Sequence, residues 1–314
     1  AESLNERFGT KFSFRNILMM VGAASGLNTA LKTIMNPGDE VIVFAPYFVD
    51  YGNYVANYDG RLVVVSPDLE TFQPKFDEFE QKISARTKAV IINTPHNPTG
   101  VIYSEETIRR LAAILEAKQK EFGSTIVLIS DEPYRELVYD GSEVPYVTKY
   151  YSNTIVCYSY SKSLSLPGER IGYIVIPDEM EDSGTVITAA TIAIRTSGSI
   201  NAPSLMQRVI MRCIKANART DISFYKRNRD ALYQGLTECG FTCVKPQGAF
   251  YMFVKSPIPD DKAFCQAGKK YNILMVPGAS FACPGYVRLA YCVSHETIMG
   301  SLPAFKKPAA EYFE

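Results

Sequence analysis

The stretch 154–176 reads TIVCYSYSKSLSLPGERIGYIVI, and it decides how the rest of the chain is interpreted. Its two apolar, β-branched runs, Thr154–Tyr158 and Gly172–Ile176, are typical of strands that are buried on both faces. A serine-rich segment between them places Lys162 and Arg170 soon after the first strand. This order predicts a buried sheet with a polar site at the end of one strand.

The same alternation of strands and helices extends towards the amino terminus. Ala24–Met35 has the spacing of an amphipathic helix, and Ser104–Glu121 begins with a serine that is typical of a helix N-cap. These stretches alternate with further candidate strands, namely Val41–Phe44, Leu62–Val65, Lys88–Asn93 and Thr125–Ser130. Such an alternation predicts an α/β fold with a mainly parallel sheet flanked by helices.

The pattern changes after about residue 200 of the sequence. A long helical stretch, Pro203–Gly235, is followed by short strand-like runs at Phe250–Val254 and Val287–Tyr291. We therefore expect a large domain over residues 1–205 and a smaller C-terminal α+β domain over residues 206–314.

Composition restricts the classes of function and partner. The chain has 33 basic and 33 acidic residues, which gives no electrostatic reason to expect nucleic acid or an anionic membrane as a partner. No apolar run approaches the ~18 to 20 residues of a membrane span. The spacing of the glycines excludes the dinucleotide-binding fingerprint, because no two of them lie two positions apart.

The cysteines and histidines argue against a disulfide framework and against a metal site. Seven cysteines without regular spacing predict reduced thiols, which are typical of a cytoplasmic protein. Cys239 and Cys243 form the most closely spaced pair, but the chain has only two histidines to complete a zinc site. We therefore expect these cysteines to be core residues and expect no metal.

Lys162 is the candidate catalytic residue. A lysine that forms a Schiff base has to lose its proton, and desolvation or neighbouring cations lower its pKa enough to allow this. Arg170 could hold a phosphate through its guanidinium fork, and Ser159 could share that phosphate. The alternative interpretation is an ordinary serine-rich surface loop.

Polar residues follow two further strands. Asp131 ends an apolar run, and a carboxylate at this position could pair with the protonated nitrogen of a bound pyridine ring. Tyr134 could donate a hydrogen bond from its phenol to the 3-oxygen of the same ring. Asn97, in the turn N-P-T-G at 97–100, could bond that oxygen as well. The alternatives are a helix-capping aspartate and a purely structural turn. We assign the neighbouring His96 to the turn or to its rim.

Three other positions have both a functional and a structural interpretation. The run Gly22-Ala23-Ala24 precedes a helix, and free N–H groups at a helix N-terminus favour phosphate. Phe48 could stack on a flat ring, although core packing explains a phenylalanine equally well. Arg288 lies in an apolar run, so it requires an anionic partner, which is either a substrate carboxylate or a structural salt bridge.

Taken together, three motifs resemble the class I/II aminotransferases, the aspartate aminotransferase-like branch of fold type I. The motifs are S-Y-S-K-S-L-S-L-P-G-E-R-I-G at 159–172, S-D-E-P-Y at 130–134 and N-P-T-G at 97–100, and the resemblance extends from about residue 16 to residue 300. It implies pyridoxal 5'-phosphate as the cofactor and ping-pong transfer of an amino group from an amino acid to a 2-oxo acid. It also implies a homodimer and a family segment that would precede Ala1.

The resemblance assigns a role to each candidate residue. Lys162 carries the cofactor and acts as the base, Asp131 pairs with the ring nitrogen, and Tyr134 addresses the 3-oxygen. Asn97 also bonds the 3-oxygen and, together with Arg288, binds the substrate carboxylate. The remaining cofactor residues are the stacking Phe48 and the phosphate-binding Gly22, Ala23, Ala24, Ser159 and Arg170. Two positions depart from the family. Many members have a phosphate-bonding side chain where this sequence has Ala24, and several relatives have tryptophan where it has Phe48.

Other functions remain open at this stage. A β-elimination C–S lyase or a decarboxylase on the same fold would use the same lysine and aspartate, and a regulatory domain that binds the cofactor is a further alternative. The substrate is also open. Arg195 either reaches the partner subunit's site and favours a dicarboxylate, or is an exposed arginine at a helix end.

Overall fold

The computed structural model describes residues 1–313, in which the larger of two β-sheets has seven strands. These are β1 (Ile17–Met20), β2 (Glu40–Phe44), β3 (Arg61–Val65), β4 (Thr87–Asn93), β5 (Val127–Asp131), β6 (Thr154–Ser159) and β7 (Gly172–Val175). Their order across the sheet is β1-β7-β6-β5-β4-β2-β3. Strands β2 to β6 pair in parallel, so the prediction of a mainly parallel sheet is confirmed.

One edge of this sheet differs from the prediction. β7 runs antiparallel to β6, and β1, which the sequence analysis did not identify as a strand, runs antiparallel to β7. The segment of β1 reads ILMM, in which Ile17 is the one β-branched residue, so the sequence favours a strand only weakly. Pairing with β7 therefore determines its conformation.

Helices cover the sheet on both faces, and each face has its own core. On one side Ile42, Val90 and Leu128 pack with the helix Glu105–Phe122, whereas on the other side Val41 and Ile91 pack with the helix Gly22–Ile34. This alternation along each strand explains why the strands read as continuous apolar runs. The helices of this part are α1 (Glu2–Phe8), α2 (Gly22–Ile34), α3 (Asp50–Ala56), α4 (Phe76–Lys82), α5 (Glu105–Phe122), α6 (Tyr160–Ser163) and α7 (Ser183–Thr196).

The N-cap of α5 is confirmed, because the side chain of Ser104 accepts a hydrogen bond from the backbone N–H of Thr107. The helix ends at Phe122 and is capped by Gly123, which adopts a left-handed conformation with φ of 62°.

The C-terminal part is built on an antiparallel sheet of three strands in the order β8-β10-β9. These strands are β8 (Tyr251–Lys255), β9 (Val276–Pro277) and β10 (Tyr286–Ala290). The helices are α8 (Ser204–Lys215), α9 (Ile222–Glu238), α10 (Asp261–Lys269) and α11 (His295–Phe313). An α+β C-terminal part was predicted, and α9 and α11 pack on its sheet around Leu232, Met252 and Ile298.

The prediction of one long helix over Pro203–Gly235 was wrong. The chain leaves the helix after Lys215, and Asn217 takes a positive φ of 50°. Asp221 then caps α9 by accepting a hydrogen bond from the backbone N–H of Ser223. A left-handed residue followed by a capping aspartate ends one helix and starts the next.

The predicted domain boundary between residues 205 and 206 stays a prediction. It falls inside α8, whose Ile210 packs with Ile171 and Ala202 beside the larger sheet. Cys239 and Cys243 pack at the edge of the C-terminal apolar cluster, as expected for core cysteines. Among the described residues, no helix is both long and apolar enough to cross a membrane.

Candidate active site

Three polar residues meet at the carboxyl edge of the larger sheet. Asn93, Asp131 and Ser159 are the last residues of the adjacent parallel strands β4, β5 and β6, and all three are buried. Ligands of open α/β sheets bind at this edge, because the strands end together and the chain turns away from the sheet there. The parallel topology therefore brings together residues that are far apart in the sequence.

Asp131 is buried, and within residues 1–313 only one of its carboxylate oxygens has a partner. The hydroxyl of Tyr51 donates to Oδ2 over 2.6 Å, whereas Oδ1 is buried without a hydrogen bond. Burial raises the pKa of Asp131 to about 7, the bond from Tyr51 opposes the rise, and the charge of Glu132 adds to it. A buried acceptor without a partner is costly, which indicates that Oδ1 faces a donor supplied by a ligand.

The turn at 93–100 is fixed to the end of β5 by Asn93. Its Oδ1 accepts from the backbone N–H of Asn97 over 2.7 Å, and its Nδ2 donates to the backbone oxygen of Asp131 over 2.8 Å. His96 is only 3% exposed and bonds Thr99 through Nδ1, so it belongs to the inside of the turn and not to its rim. This network holds Asn97 in place next to Asp131.

Arg288 is a half-buried residue of β10. Its Nη1 donates to Oδ1 of Asn97 over 3.0 Å, and its Nε is buried without a hydrogen bond. In the part of the chain that the structure describes, no Asp or Glu pairs with Arg288, so the structural salt bridge is not formed. The guanidinium lies between the rings of Tyr251 and Phe281, at 4.3 and 4.9 Å from their centroids. A half-buried cation held in this way is suited to a carboxylate ligand.

The bond from Arg288 also sets the orientation of the Asn97 amide. Because Oδ1 of Asn97 accepts from Arg288, its Nδ2 is turned to the opposite side and can donate to a ligand. Asn97 therefore connects the carboxylate site at Arg288 with a second position, where its Nδ2 can donate to an oxygen of a ligand.

Aromatic rings connect Arg288 to Lys162. The hydroxyls of Tyr134 and Tyr251 are 3.2 Å apart, and the ring of Phe250 contacts both tyrosines. Nζ of Lys162 lies 5.2 Å from the centroid of Phe250. The predicted residues Lys162, Tyr134 and Arg288 are thus joined through continuous contacts.

Lys162 lies in the short helix α6, directly after β6. Burial lowers the pKa of Lys162, the thiol of Cys292 opposes this effect, and the positive charge of Arg170 lowers it further. A lowered pKa favours the neutral amine, which is the form that acts as a nucleophile or a base. The environment therefore fits the role predicted for this residue.

The residues predicted to bind phosphate form a group at the start of α2. The N-cap residue of this helix is Val21, whose apolar side chain cannot bond the free N–H groups of the first turn. A Cβ added to Gly22 would lie 2.6 Å from Nη2 of Arg170. Gly22 has a φ of 82°, which also favours glycine. Ala23 and Ala24 follow in the first turn. Backbone N–H groups next to a guanidinium provide an anion site.

The serines of the lysine motif complete this group. Oγ of Ser159 donates to Oγ of Ser161 over 2.8 Å, and Nη1 of Arg170 is 3.5 Å from the same Ser161 oxygen. Phe48 lies just before α3 and packs edge-on against Tyr51, at a centroid distance of 5.6 Å. Phe48 is therefore next to the residue that bonds Asp131. Arg195 lies in the last turn of α7 and is exposed in the single chain, which is compatible with both interpretations of this residue.

These features fit pyridoxal phosphate, the cofactor that the resemblance implies. The unpaired Oδ1 of Asp131 suits a protonated ring nitrogen, the glycine and arginine near α2 suit a phosphate, and Lys162 provides an amine of lowered pKa. Among the described residues there is no cluster of three or more metal-ligating side chains.

Sequence reasoning missed Tyr51, Ser161, Phe250 and Tyr251. Tyr51 lies in the first turn of α3, only three residues after Phe48, and this short separation could have indicated that it is near the site. Ser161 lies inside the quoted lysine motif. No sequence signal linked Phe250 and Tyr251 to the site, because they come from the C-terminal sheet.

Comparison with known proteins gives a consistent result. The family model described as aminotransferase class I and II matches residues 2–300. The chain is 34% identical over 313 residues to a probable aspartate/prephenate aminotransferase of Thermus aquaticus, with 97% of this chain and 79% of that protein covered. It is 32% identical to an aspartate aminotransferase of Thermotoga maritima, with 96% of this chain and 78% of that protein covered.

A similar result comes from solved structures. An amino transferase of Eubacterium rectale superimposes with a TM-score of 0.98 at 51% identity, covering 100% of this chain and 79% of that one. The aspartate aminotransferase of Thermotoga maritima superimposes with a TM-score of 0.88 at 29% identity, covering 99% of this chain and 80% of that one.

Proposed function

This chain belongs to the class I and II aminotransferases, which depend on pyridoxal phosphate, and we propose that its amino donor is L-aspartate and its acceptor a 2-oxo acid. The observation that carries the proposal is the guanidinium of Arg288, whose Nη1 donates to Asn97, whose Nε is buried and unpaired, and which has no acidic partner among residues 1–313. Such a group fits the carboxylate of an amino acid. The choice of aspartate is supported by the names of the relatives.

We propose the following roles for the residues of the site in catalysis. When bound, pyridoxal phosphate supplies an electron sink for a substrate that loses its α-proton. Lys162 would hold the cofactor covalently, and its released amine would remove that proton and return it. Asp131 would keep the ring nitrogen protonated, and Asn97 and Tyr134 would donate to the 3-oxygen.

The other residues would bind and orient. Arg288 would fix the substrate carboxylate, so that the α-proton stays within reach of Lys162. Phe48 would cover one face of the ring. The phosphate would be held by Gly22, Ala23, Ala24, Ser159 and Arg170, with Ser161 as an additional donor.

A panel of amino donors tests the proposed substrate. The protein loaded with pyridoxal phosphate is given L-aspartate, L-alanine, L-tyrosine or L-lysine with 2-oxoglutarate, and the formation of glutamate is followed. We expect the largest kcat/KM with L-aspartate. A higher value with any other donor would show that the substrate proposal is wrong.

The panel also separates the reaction types that the sequence left open. We expect no release of pyruvate from cystathionine and no release of carbon dioxide from the donors when the 2-oxo acid is omitted. The family and its relatives do not favour the C–S lyase, the decarboxylase or the regulatory domain.

Arg288→Lys is expected to lower kcat/KM for L-aspartate while cofactor binding is retained. Lysine keeps the positive charge but lacks the planar guanidinium, which can bond Asn97 and a substrate carboxylate at the same time. By analogy with truncated interface charge pairs, the loss should be about 2 to 5 kcal/mol in kcat/KM. The measurement is steady-state kinetics alongside the visible absorption of the loaded protein.

Lys255→Ala provides the control, since this exposed lysine ends β8 on the same small sheet. It should leave kcat/KM unchanged. If Arg288→Lys retains full catalytic efficiency, Arg288 does not bind the substrate. Loss of the cofactor absorption together with activity would assign Arg288 to the cofactor site or to the fold.

We also propose that the protein works in the cytoplasm as a homodimer. Seven free cysteines favour a reducing compartment. Several large apolar side chains on α7 and α8 are exposed, and patches of this kind are typical of interfaces between subunits. They are Ile192, Leu205, Met211 and Ile214. Sedimentation of the active protein as a monomer would contradict the dimer.

A further inference from the structure

Tyr251 contacts two of the side chains to which the proposed function gives a role. Its hydroxyl oxygen is 3.2 Å from that of Tyr134, which is proposed to address the cofactor. Its ring lies under Arg288, with 4.3 Å between the guanidinium carbon and the ring centroid. Tyr251 is therefore the link between the cofactor side and the substrate side of the site.

The backbone fixes Tyr251 relative to both neighbours. In the pairing of β8 with β10, Tyr251 is opposite Ala290 and Phe253 is opposite Arg288, so Tyr251 and Arg288 are diagonal neighbours on one face. The turn that carries Asn97 also packs closely here, because a Cβ added to Gly100 would lie 3.0 Å from the backbone oxygen of Tyr251.

The role proposed for Tyr134 determines which of the two phenols donates. Their oxygens are within hydrogen-bond distance, and either hydroxyl could be the donor in the protein alone. A phenol has only one proton. If Tyr134 donates that proton to the 3-oxygen of the cofactor, its oxygen accepts the hydrogen bond from the hydroxyl of Tyr251.

We propose that Tyr251 is a positioning residue with two separable actions: its ring holds the guanidinium of Arg288 ready for the substrate carboxylate, and its hydroxyl donates to Tyr134. The inference rests on the proposed roles of Arg288 and Tyr134. A chain of two donors strengthens the hydrogen bond that Tyr134 makes to the 3-oxygen of the cofactor. The ring contributes through the attraction between a cation and an aromatic face.

The two actions are separated by Tyr251→Phe and Tyr251→Leu. Phenylalanine keeps the ring and removes the hydroxyl, whereas leucine removes both. The first readout is the pH midpoint of the visible absorption of the protein loaded with pyridoxal phosphate, without substrate. Hydrogen bonds to the charged 3-oxygen favour deprotonation, so both variants should move this midpoint upward, by about half a pH unit or more.

The second readout is KM for L-aspartate. Tyr251→Phe should leave KM within about twofold of the parent value, because the ring remains. Tyr251→Leu should raise KM roughly 2- to 30-fold above that of Tyr251→Phe, the range that corresponds to one cation–aromatic contact. If the leucine variant does not fold, Tyr251→Met replaces it as a non-aromatic side chain of similar length.

Tyr233→Leu is the matched control, because its ring also contacts a cation, Lys245 at 5.7 Å, but lies on α9 away from the site. It should change neither readout. An unchanged midpoint in Tyr251→Phe would overturn the action of the hydroxyl, and equal KM values in the phenylalanine and leucine variants would overturn that of the ring.

Failure of the proposed substrate remains distinguishable from failure of this inference. The absorption titration uses the cofactor alone and needs no amino acid. If the parent protein does not use L-aspartate, binding of maleate, a dicarboxylate that does not react, replaces KM as the second readout. A decrease in maleate affinity for Tyr251→Leu but not for Tyr251→Phe would still support the action of the ring.

Discussion

Lys162→Ala is expected to reduce kcat on the order of 10⁴-fold, because one side chain is proposed both to hold the cofactor and to move the α-proton. The structure supports this double role through the position of Lys162 directly after β6, beside the ring of Phe250. Burial and the charge of Arg170 lower the pKa of Lys162 in spite of Cys292. The measurement is kcat with L-aspartate and 2-oxoglutarate in excess pyridoxal phosphate.

The attachment of the cofactor is tested separately from turnover. Borohydride reduction of the loaded parent protein, followed by peptide mass mapping, should place a pyridoxyl group on Lys162. The matched control is Lys149→Ala, an exposed lysine at the end of a 3-10 turn, which should keep full activity. A pyridoxyl group on Lys149 in the parent protein would show that the catalytic assignment is wrong.

Much of the site could be predicted because parallel strands place their carboxyl ends together. Asn93, Asp131 and Ser159 end neighbouring strands, so their proximity follows once the strands and their parallel order are recognised. The motif around Lys162 lies within a single segment, and its contacts with Ser161 and Arg170 are local in sequence. The mainly parallel sheet itself follows from the alternation of apolar strands and amphipathic helices.

Contacts between distant segments could not be predicted in the same way. Tyr51 bonds Asp131 across 80 positions of sequence, and Arg288 bonds Asn97 across 191. A tyrosine in an amphipathic helix has the same pattern whether it packs in the core or bonds a functional carboxylate. The break between α8 and α9 was missed for a different reason, because the apolar spacing continues through it and only Asn217 and Asp221 mark it.

Asp131→Asn is expected to have opposite effects on activity and on the stability of the cofactor-free protein. The amide retains an acceptor for the hydroxyl of Tyr51 but cannot carry the charge that would keep the ring nitrogen protonated. Because this charge acts on the transition state, kcat should fall by about 10² to 10³, the loss typical of one preorganised electrostatic contact. KM should change much less.

The stability effect follows from the pKa of Asp131, which burial raises to about 7 in spite of the bond from Tyr51. Between about pH 4 and pH 7 the folded protein keeps the proton that the unfolded chain releases, so the free energy of unfolding decreases as the pH rises through this window. Asparagine does not titrate, and the variant should therefore lack this part of the decrease and be the more stable protein above pH 7. Thermal or urea unfolding of both cofactor-free proteins between pH 4 and pH 8 measures the difference.

Asp77→Asn, at a side chain that is 96% exposed, removes the same charge from the surface and should alter neither kcat nor the pH dependence. If Asp131→Asn instead loses stability equally at every pH, Asp131 is a structural residue of the turn, and the unpaired oxygen does not await a cationic ligand.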